Sequence, residues 1–330
     1  MLAHYLLMAA AVWLSPAPDT STAGQLLSAR TLSGDELVRI GEIHDVQNHY
    51  PEALTYYAQA LESFRVRKQQ KGEAVVLTKV GLIFERQGRR EEAAVQFRQA
   101  LALFSKTTDS PLHADALFGA GRVSLWLGAR EQAATLFQRA KERYRRAQNV
   151  QALESVTVQS GLLKVSDGTP EEGLHEIRQV VEDAGARHDQ ERTLTALMAL
   201  GDANWILDRA EAAGTYYEQS LSLLQQQRPQ ASIEARLRMR LAALNGTRGR
   251  QEEGIQFAKR AVTLSQSLGD TSGEAAAWAL LGSLHEALGR DSEMEEAFRR
   301  ALAIYRKQPV SVHAIRSGSS PAPTFPGEFR

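Results

Sequence analysis

The residues of this chain that could carry chemistry are eight histidines and several adjacent glutamate pairs, with no cysteine among its 330 residues. Histidine followed by glutamate begins the zinc-hydrolase pattern, in which a second histidine one helical turn later completes the metal's ligands. Neither His175 with Glu176 nor His285 with Glu286 extends to that spacing, so the scattered histidines read in general as solvated surface residues and not as zinc ligands. Adjacent carboxylates such as Glu91 with Glu92, Glu171 with Glu172, Glu252 with Glu253 and Glu295 with Glu296 could divide acid and base roles between them. Three of these pairs recur at the same point of a regular period, which marks a helix-start device instead. Gly119-Ala120-Gly121 lacks both a preceding strand and the third glycine of a dinucleotide loop. Asn245-Gly246-Thr247 fits a glycosylation acceptor but reads as a local turn. The basic run Lys141, Arg143, Arg145 and Arg146 could hold phosphate, yet it falls in the last turns of a helix, where positive charge offsets the dipole. Without cysteine there is no disulfide, thiolate nucleophile or cysteine-held zinc. The sequence therefore predicts no enzyme, no metal and no cofactor.

What positions these residues is a repeat. Gly41, Gly81, Gly121, Gly161, Gly201, Ala242 and Gly282 follow one another at 40, 40, 40, 40, 41 and 40 residues. A unit this short cannot bury its own apolar face, so the period implies stacked copies of one supersecondary element. Four residues before the small position stand Leu37, Leu77, Leu117, Leu197 and Trp278, with Thr157 and Arg238 as exceptions. Twelve after it come Ala53, Ala93, Ala133, Gly173, Ala213 and Gly254, broken by Met294. Four further on are Tyr57, Phe97, Phe137, Ile177, Tyr217 and Phe298. Spacings of three and four are helical, and small residues let two helix backbones approach while larger ones fill the gaps. Between the two helices lie Asn48, Gly88, Gly128, Gly168, Asp208, Gly249 and Gly289, residue types that tolerate the left-handed conformation at a helix stop. An acid, from Glu52 and Glu92 to Glu253 and Glu293, then opens the next helix. His44 and His285 occupy the tyrosine position of the unit and read as packed between helices.

This pattern, as in Trp278-x2-Leu281-Gly282, resembles the tetratricopeptide repeat (TPR), in its longer, 40-residue variety found in cell-polarity adaptors and the stalks of bacterial CHAT-peptidase proteins. The resemblance covers residues 33–307 and implies an all-α, right-handed superhelical α-solenoid of about seven helix-turn-helix repeats. Repeat four, with Ser160 and Lys164, and repeat six, with Arg238, Ala242, Asn245 and Ala258, depart from the signature and are expected to pack least well. The resemblance further implies a concave groove lined by the first helices. Carried onto this chain, its peptide-binding positions include Phe118, Arg122, Trp126, Val158, Leu162, Met198, Asp202, Trp205, Met239 and Arg240. The lysine and asparagine clamp by which some family members grip a terminal carboxylate is not matched, since Glu42 and Leu82 stand where asparagine is expected.

Lysine plus arginine equals aspartate plus glutamate at 39 each, so no global field attracts nucleic acid or an anionic membrane. Tyr5 to Leu14 form an apolar run of ten before Pro16 and Pro18, too short to span a bilayer. Residues 1–23 accordingly read as a signal peptide or a disordered leader, with an apolar cap on repeat one as a further alternative, and export is favoured over a cytoplasmic location. Residues 308–330 turn to Ser, Gly and Pro and are expected to be disordered. Ala297, Ala301, Leu302, Ile304 and Tyr305 are then expected to leave an apolar end, open to self-association. The functional expectation is a non-enzymatic scaffold that binds a peptide segment of a partner protein in the groove. The alternative is a sensory module of a signalling or CHAT-type peptidase system whose effector is a separate chain or lost.

Overall fold

A computed structural model describes residues 32–105, 111–225 and 230–307. The leader over residues 1–23 and the tail over 308–330 lie outside the described residues. Among the described residues there are helices and no strand. In chain order the helices are α1 (Gly34–Val46), α2 (Tyr50–Val66), α3 (Gln70–Arg86), α4 (Arg90–Phe104), α5 (Pro111–Trp126), α6 (Arg130–Arg146) and α7 (Val150–Ser166). They continue as α8 (Pro170–Ala186), α9 (Gln190–Ile206), α10 (Ala210–Gln225), α11 (Ala231–Thr247), α12 (Gln251–Leu268), α13 (Thr271–Glu286) and α14 (Asp291–Lys307). The fold class is an all-α solenoid of helix-turn-helix repeats. None of the described helices is long and apolar enough to cross a membrane.

The chain divides into two compact units, one ending at Val76 and the other beginning at Leu77, within α3. In the first unit Ser33 opens α1 with a capping box: its Oγ accepts from the Glu36 backbone N–H, and its own N–H donates to the Glu36 carboxylate at 2.8 Å. Tyr57 of α2 lies flat on Gly41, where an added Cβ would stand 2.5 Å from the ring. That contact explains the small residue of the repeat: it is the floor on which the ring sixteen residues later rests.

In the second unit the same contact recurs between Gly121 and Phe137, again at 2.5 Å from an added Cβ. The core is continuous from repeat to repeat. One cluster joins Leu117 of α5, Phe137 and Ala140 of α6, and Val156 and Leu163 of α7. Another joins Met198 of α9, Tyr217 of α10, and Leu237 and Leu241 of α11. Each second helix therefore packs on the first helix of its own repeat and on that of the next, as quasi-one-dimensional stacking requires.

Repeats four and six correct an expectation. Where the ring of the second helix is replaced by Ile177 or Ala258, the residue four before it is glycine, and the backbones close the gap. A Cβ on Gly161 would lie 2.9 Å from the Gly173 carbonyl oxygen, and one on Gly254 would lie 2.9 Å from the Ala242 carbonyl oxygen. The irregular polar residues are paired as well: Lys164 donates to Glu172 and Glu176 at 3.1 Å, and buried Asn245 donates to the Leu241 carbonyl at 2.8 Å. A smaller ring volume is met by closer helices, so these repeats are not loosely packed.

The turns within repeats follow the sequence: Asn48, Gly88, Gly128, Gly168, Asp208, Gly249 and Gly289 all have φ between 57° and 92°. The turns between repeats use the same device with residues that carry no such signal, namely Lys68, Gln148 and His188 beside Gly269.

Candidate functional site

The first helices of the second unit bring the groove positions onto neighbouring turns, but not all of them face outward. The residue directly after the bulky position is buried in five repeats: Val38, Thr78, Phe118, Val158 and Met198 are at most 9% exposed. Val158 belongs to the core shared with Leu174 and Ile177, and Met198 to that of Tyr217 and Leu237. Val158 and Met198 are thus enclosed between repeats and not on an open face, a correction to their placing, whereas Phe118, packed on Phe137 and Tyr144 of its own repeat, keeps an edge on the cleft described below. Leu162 and Trp205 are half-buried against the same two cores, and Met239 packs on Ala261, Val262 and Ala277. Trp126 is 44% exposed, with the Arg90 guanidinium 4.6 Å above its ring.

The charged groove positions are tied to one another across successive repeats. Arg122 Nη2 donates to Glu85 Oε2 at 2.7 Å, while its guanidinium covers the Phe118 ring at 4.5 Å. Burial raises the Glu85 carboxyl and Arg122 offsets part of that rise. Arg240 donates from Nε and Nη2 to both oxygens of Asp202 at 2.5 and 2.6 Å, and the Tyr217 hydroxyl adds a third bond at 2.7 Å. Burial and the Asp202 carboxylate push the Tyr217 phenol well above its usual range. Asp202 and Arg240 therefore form an inter-repeat clamp.

Arg122 and Phe118 also line an open cleft of about 310 Å³, together with Leu82, Asp115, Tyr144, Asn149, Gln151, Ala152, Ser155 and Arg192. Helices α3, α5, α6, α7 and α9 position these side chains, with Asn149 in the turn before α7. Phe118 meets Phe137 and Tyr144 edge-on, with centroids at 5.8 and 6.5 Å, which fixes the apolar wall. The Tyr144 hydroxyl donates to Asp115 Oδ1 at 2.6 Å, and Arg192 Nη1 donates to Ser155 Oγ at 2.9 Å. Asn149 caps α7 by accepting from the Ala152 N–H. An aromatic wall with hydrogen-bonding groups at its rim suits the recognition of a polar chain. The sequence reading reached Phe118 and Arg122 but missed Asp115, Tyr144, Ser155 and Arg192. Arg192 is 37 residues after Ser155, a spacing that signals a contact only once the repeats are known to stack.

A second groove of about 400 Å³ runs along α14, lined by Met294, Glu295, Phe298, Arg299, Leu302, Ala303 and Arg306. Ala297 and Ala301 are buried, whereas Leu302 is 52% exposed. Among the described residues no group of three or more metal-ligating side chains gathers.

Comparison with known proteins gives concordant results. Two family models described as "Tetratricopeptide repeat" match residues 37–106 and 72–146 in one case, and 194–225 and 275–308 in the other. No curated protein matches in sequence. Among solved structures, a Rap protein complexed with competence and sporulation factor is similar at a TM-score of 0.64 and 14% identity, covering 86% of this chain and 79% of its own. Aspartyl phosphate phosphatase F from Bacillus subtilis follows at 0.62 and 13%, covering 84% and 72%. A signal transduction ATPase with numerous domains from Pyrococcus horikoshii, which has a tetratricopeptide repeat sensor, gives 0.53 and 16%, covering 83% of this chain and 42% of its own. At these identities the likeness is one of fold.

Proposed function

Because the chain belongs to the tetratricopeptide repeat family, we propose that it is a non-enzymatic interaction scaffold, with the array over residues 33–307 as its body, that holds a peptide segment of a partner protein along the first-helix face. The observation that carries this reading is the cleft on α3, α5, α6, α7 and α9, where the edge-packed Phe118 wall is rimmed by Arg192, Asn149 and Gln151. Similar Rap structures are complexes, one with competence and sporulation factor and one with the Phr* peptide, which supports the same use of the fold here. Exposed Trp126, with Arg90 over it, supplies an aromatic surface of the kind that anchors peptides. The test is selection of binders from a displayed random peptide library. Selected peptides should bind the protein in solution, and Trp126→Ala together with Leu82→Ala should weaken them by about 1–4 kcal/mol per true anchor. Peptides that bind both proteins equally would remove the assignment of this face.

A second reading rests on α14. Leu302 occupies the register at which Leu101, Val181, Leu221 and Val262 are packed in earlier repeats, yet it is half exposed beside an open groove. A surface of this kind fits self-association or docking of an effector chain, as in a sensory module. Sedimentation of wild type and Leu302→Glu tests self-association: a dimer lost on substitution supports it, and a monomer in both removes it.

A further inference from the structure

The two arginines among the groove positions read from the sequence each have a carboxylate of their own. Arg122 is neutralised by Glu85 at 2.7 Å and Arg240 by Asp202 at 2.5 Å. Arg192 differs. Its guanidinium lines the cleft and has one hydrogen-bond partner among the described residues, the neutral Ser155 hydroxyl. The nearest carboxylate in sequence that could serve it, Asp189, is turned to the backbone, where it accepts from the Arg192 N–H at 3.1 Å and caps α9. A half-buried guanidinium with five donors and one neutral acceptor retains an unmet demand for an anion, and its planar fork fits a carboxylate at two points. The opposite charge in the cleft is Asp115, whose Oδ1 accepts from the neutral Tyr144 hydroxyl. Arg192 and Asp115 are not within ion-pair distance of each other, so beside the neutralised Arg122 the cleft carries two separate charges, each held by a neutral partner.

We infer that this cleft selects a peptide by a carboxylate seated on Arg192, with an N–H donor of the same peptide on Asp115 setting the chain direction. This rests on the scaffold reading above and names the chemistry of its ligand. The carboxylate is either an acidic side chain or a C-terminus, since both present the same two oxygens. Phe118 and Leu82 then cover the apolar part of the bound segment on the other side of the cleft.

The experiment is selection from a random dodecapeptide library with free C-termini on wild type, Arg192→Gln and Arg192→Lys, followed by solution affinities for synthesised winners. Wild type should enrich Asp or Glu at one aligned position, or any residue at the free terminus. Arg192→Gln should lose that enrichment and bind the wild-type winners about tenfold more weakly, with Arg192→Lys in between. Amidated winners distinguish the sources: loss of binding on amidation identifies the terminal carboxylate, and retention identifies a side chain. Thermal melting of Arg192→Gln should match wild type, because the residue has one neutral partner to lose. Winners without acidic enrichment whose binding also survives amidation, or winners that bind Arg192→Gln as tightly as wild type, would overturn the inference and leave the scaffold standing. If wild type selects no peptide at all, both fall.

Discussion

Asp202 and Arg240, 38 residues apart, meet through two parallel hydrogen bonds of 2.5 and 2.6 Å, and so join the first helices of two successive repeats. Glu85 and Arg122 repeat the relationship between α3 and α5. In a stack where each repeat touches only its neighbours, such pairs govern register between units and add to the apolar contacts that hold them.

Truncating Arg240 should therefore cost more than an ordinary surface change. Both partners are mostly buried, at 19% and 11% side-chain exposure, and Arg240→Ala would leave Asp202 with the Tyr217 hydroxyl alone. A loss of about 2–4 kcal/mol in urea unfolding follows from uncovering a buried carboxylate. The double variant Arg240→Leu with Asp202→Leu should recover much of it, since an apolar pair leaves no charge unpaired. A double variant as unstable as the single one would assign the loss to packing.

The period, the helix pairs and the turns inside repeats were legible because backbone geometry demands particular residues there. Gly121 must be small to lie under Phe137, and Gly88 must tolerate φ of 72°. The face of each first helix was less legible. Val158 and Met198 look exposed on a single helix, and become buried when the next repeat is laid against them. The same holds for the helix-start acids. Glu171, Glu211 and Glu252 favour their helix N-termini, but each also receives an arginine from the following repeat's turn: Arg209, Arg248 and Arg290. These pairs recur at spacings of 37 or 38 residues, but that spacing reads as contact only once the repeats are known to stack.

Repeat four offers a direct test of close helix approach. A Cβ on Gly173 would collide with the Gly161 carbonyl oxygen and lie 2.8 Å from Val165, so Gly173→Ala should destabilise by about 1–3 kcal/mol. Gly185, on the same helix α8, meets nothing within 4 Å. Gly185→Ala should stabilise by up to about 1 kcal/mol through helix propensity alone. Opposite shifts in melting temperature would establish the crossing, and equal shifts would exclude it.

The Lys141, Glu176 and Lys164 network makes stability depend on acid. Glu176 accepts from Lys141 at 2.9 Å and from Lys164 at 3.1 Å. Burial acts to raise its carboxyl, but the bonds from the two lysines carry it below the usual range. A carboxyl with a depressed folded pKa contributes stability above its unfolded value of about 4.3, and that contribution is lost as pH falls through the folded value. Burial meanwhile lowers the Lys141 ammonium, and the bond to Glu176 offsets part of that fall. Glu176→Gln should cost about 1–3 kcal/mol at pH 7. The gap from wild type, read by urea unfolding, should narrow steadily below about pH 4. A gap independent of pH would show that the carboxylate charge contributes nothing.

The turns between repeats give the last test. Gln148 stands at φ 53°, a conformation that costs a residue with a Cβ about 1 kcal/mol, and its N–H donates to the Arg145 carbonyl at 3.1 Å to close α6. Glycine meets that turn without the strain, so Gln148→Gly should stabilise by a few tenths to about 1 kcal/mol after the greater freedom of the unfolded chain is subtracted. Gly88, at φ 72° and with nothing within 4 Å of an added Cβ, is the reciprocal case: Gly88→Ala should lose about 1 kcal/mol through backbone strain without any clash. Both variants leave the helices unchanged, so equilibrium unfolding should move in opposite directions while far-ultraviolet circular dichroism stays constant. A loss of stability in Gln148→Gly would mean that the glutamine side chain holds the turn, and that the left-handed backbone there is not the cost assigned to it.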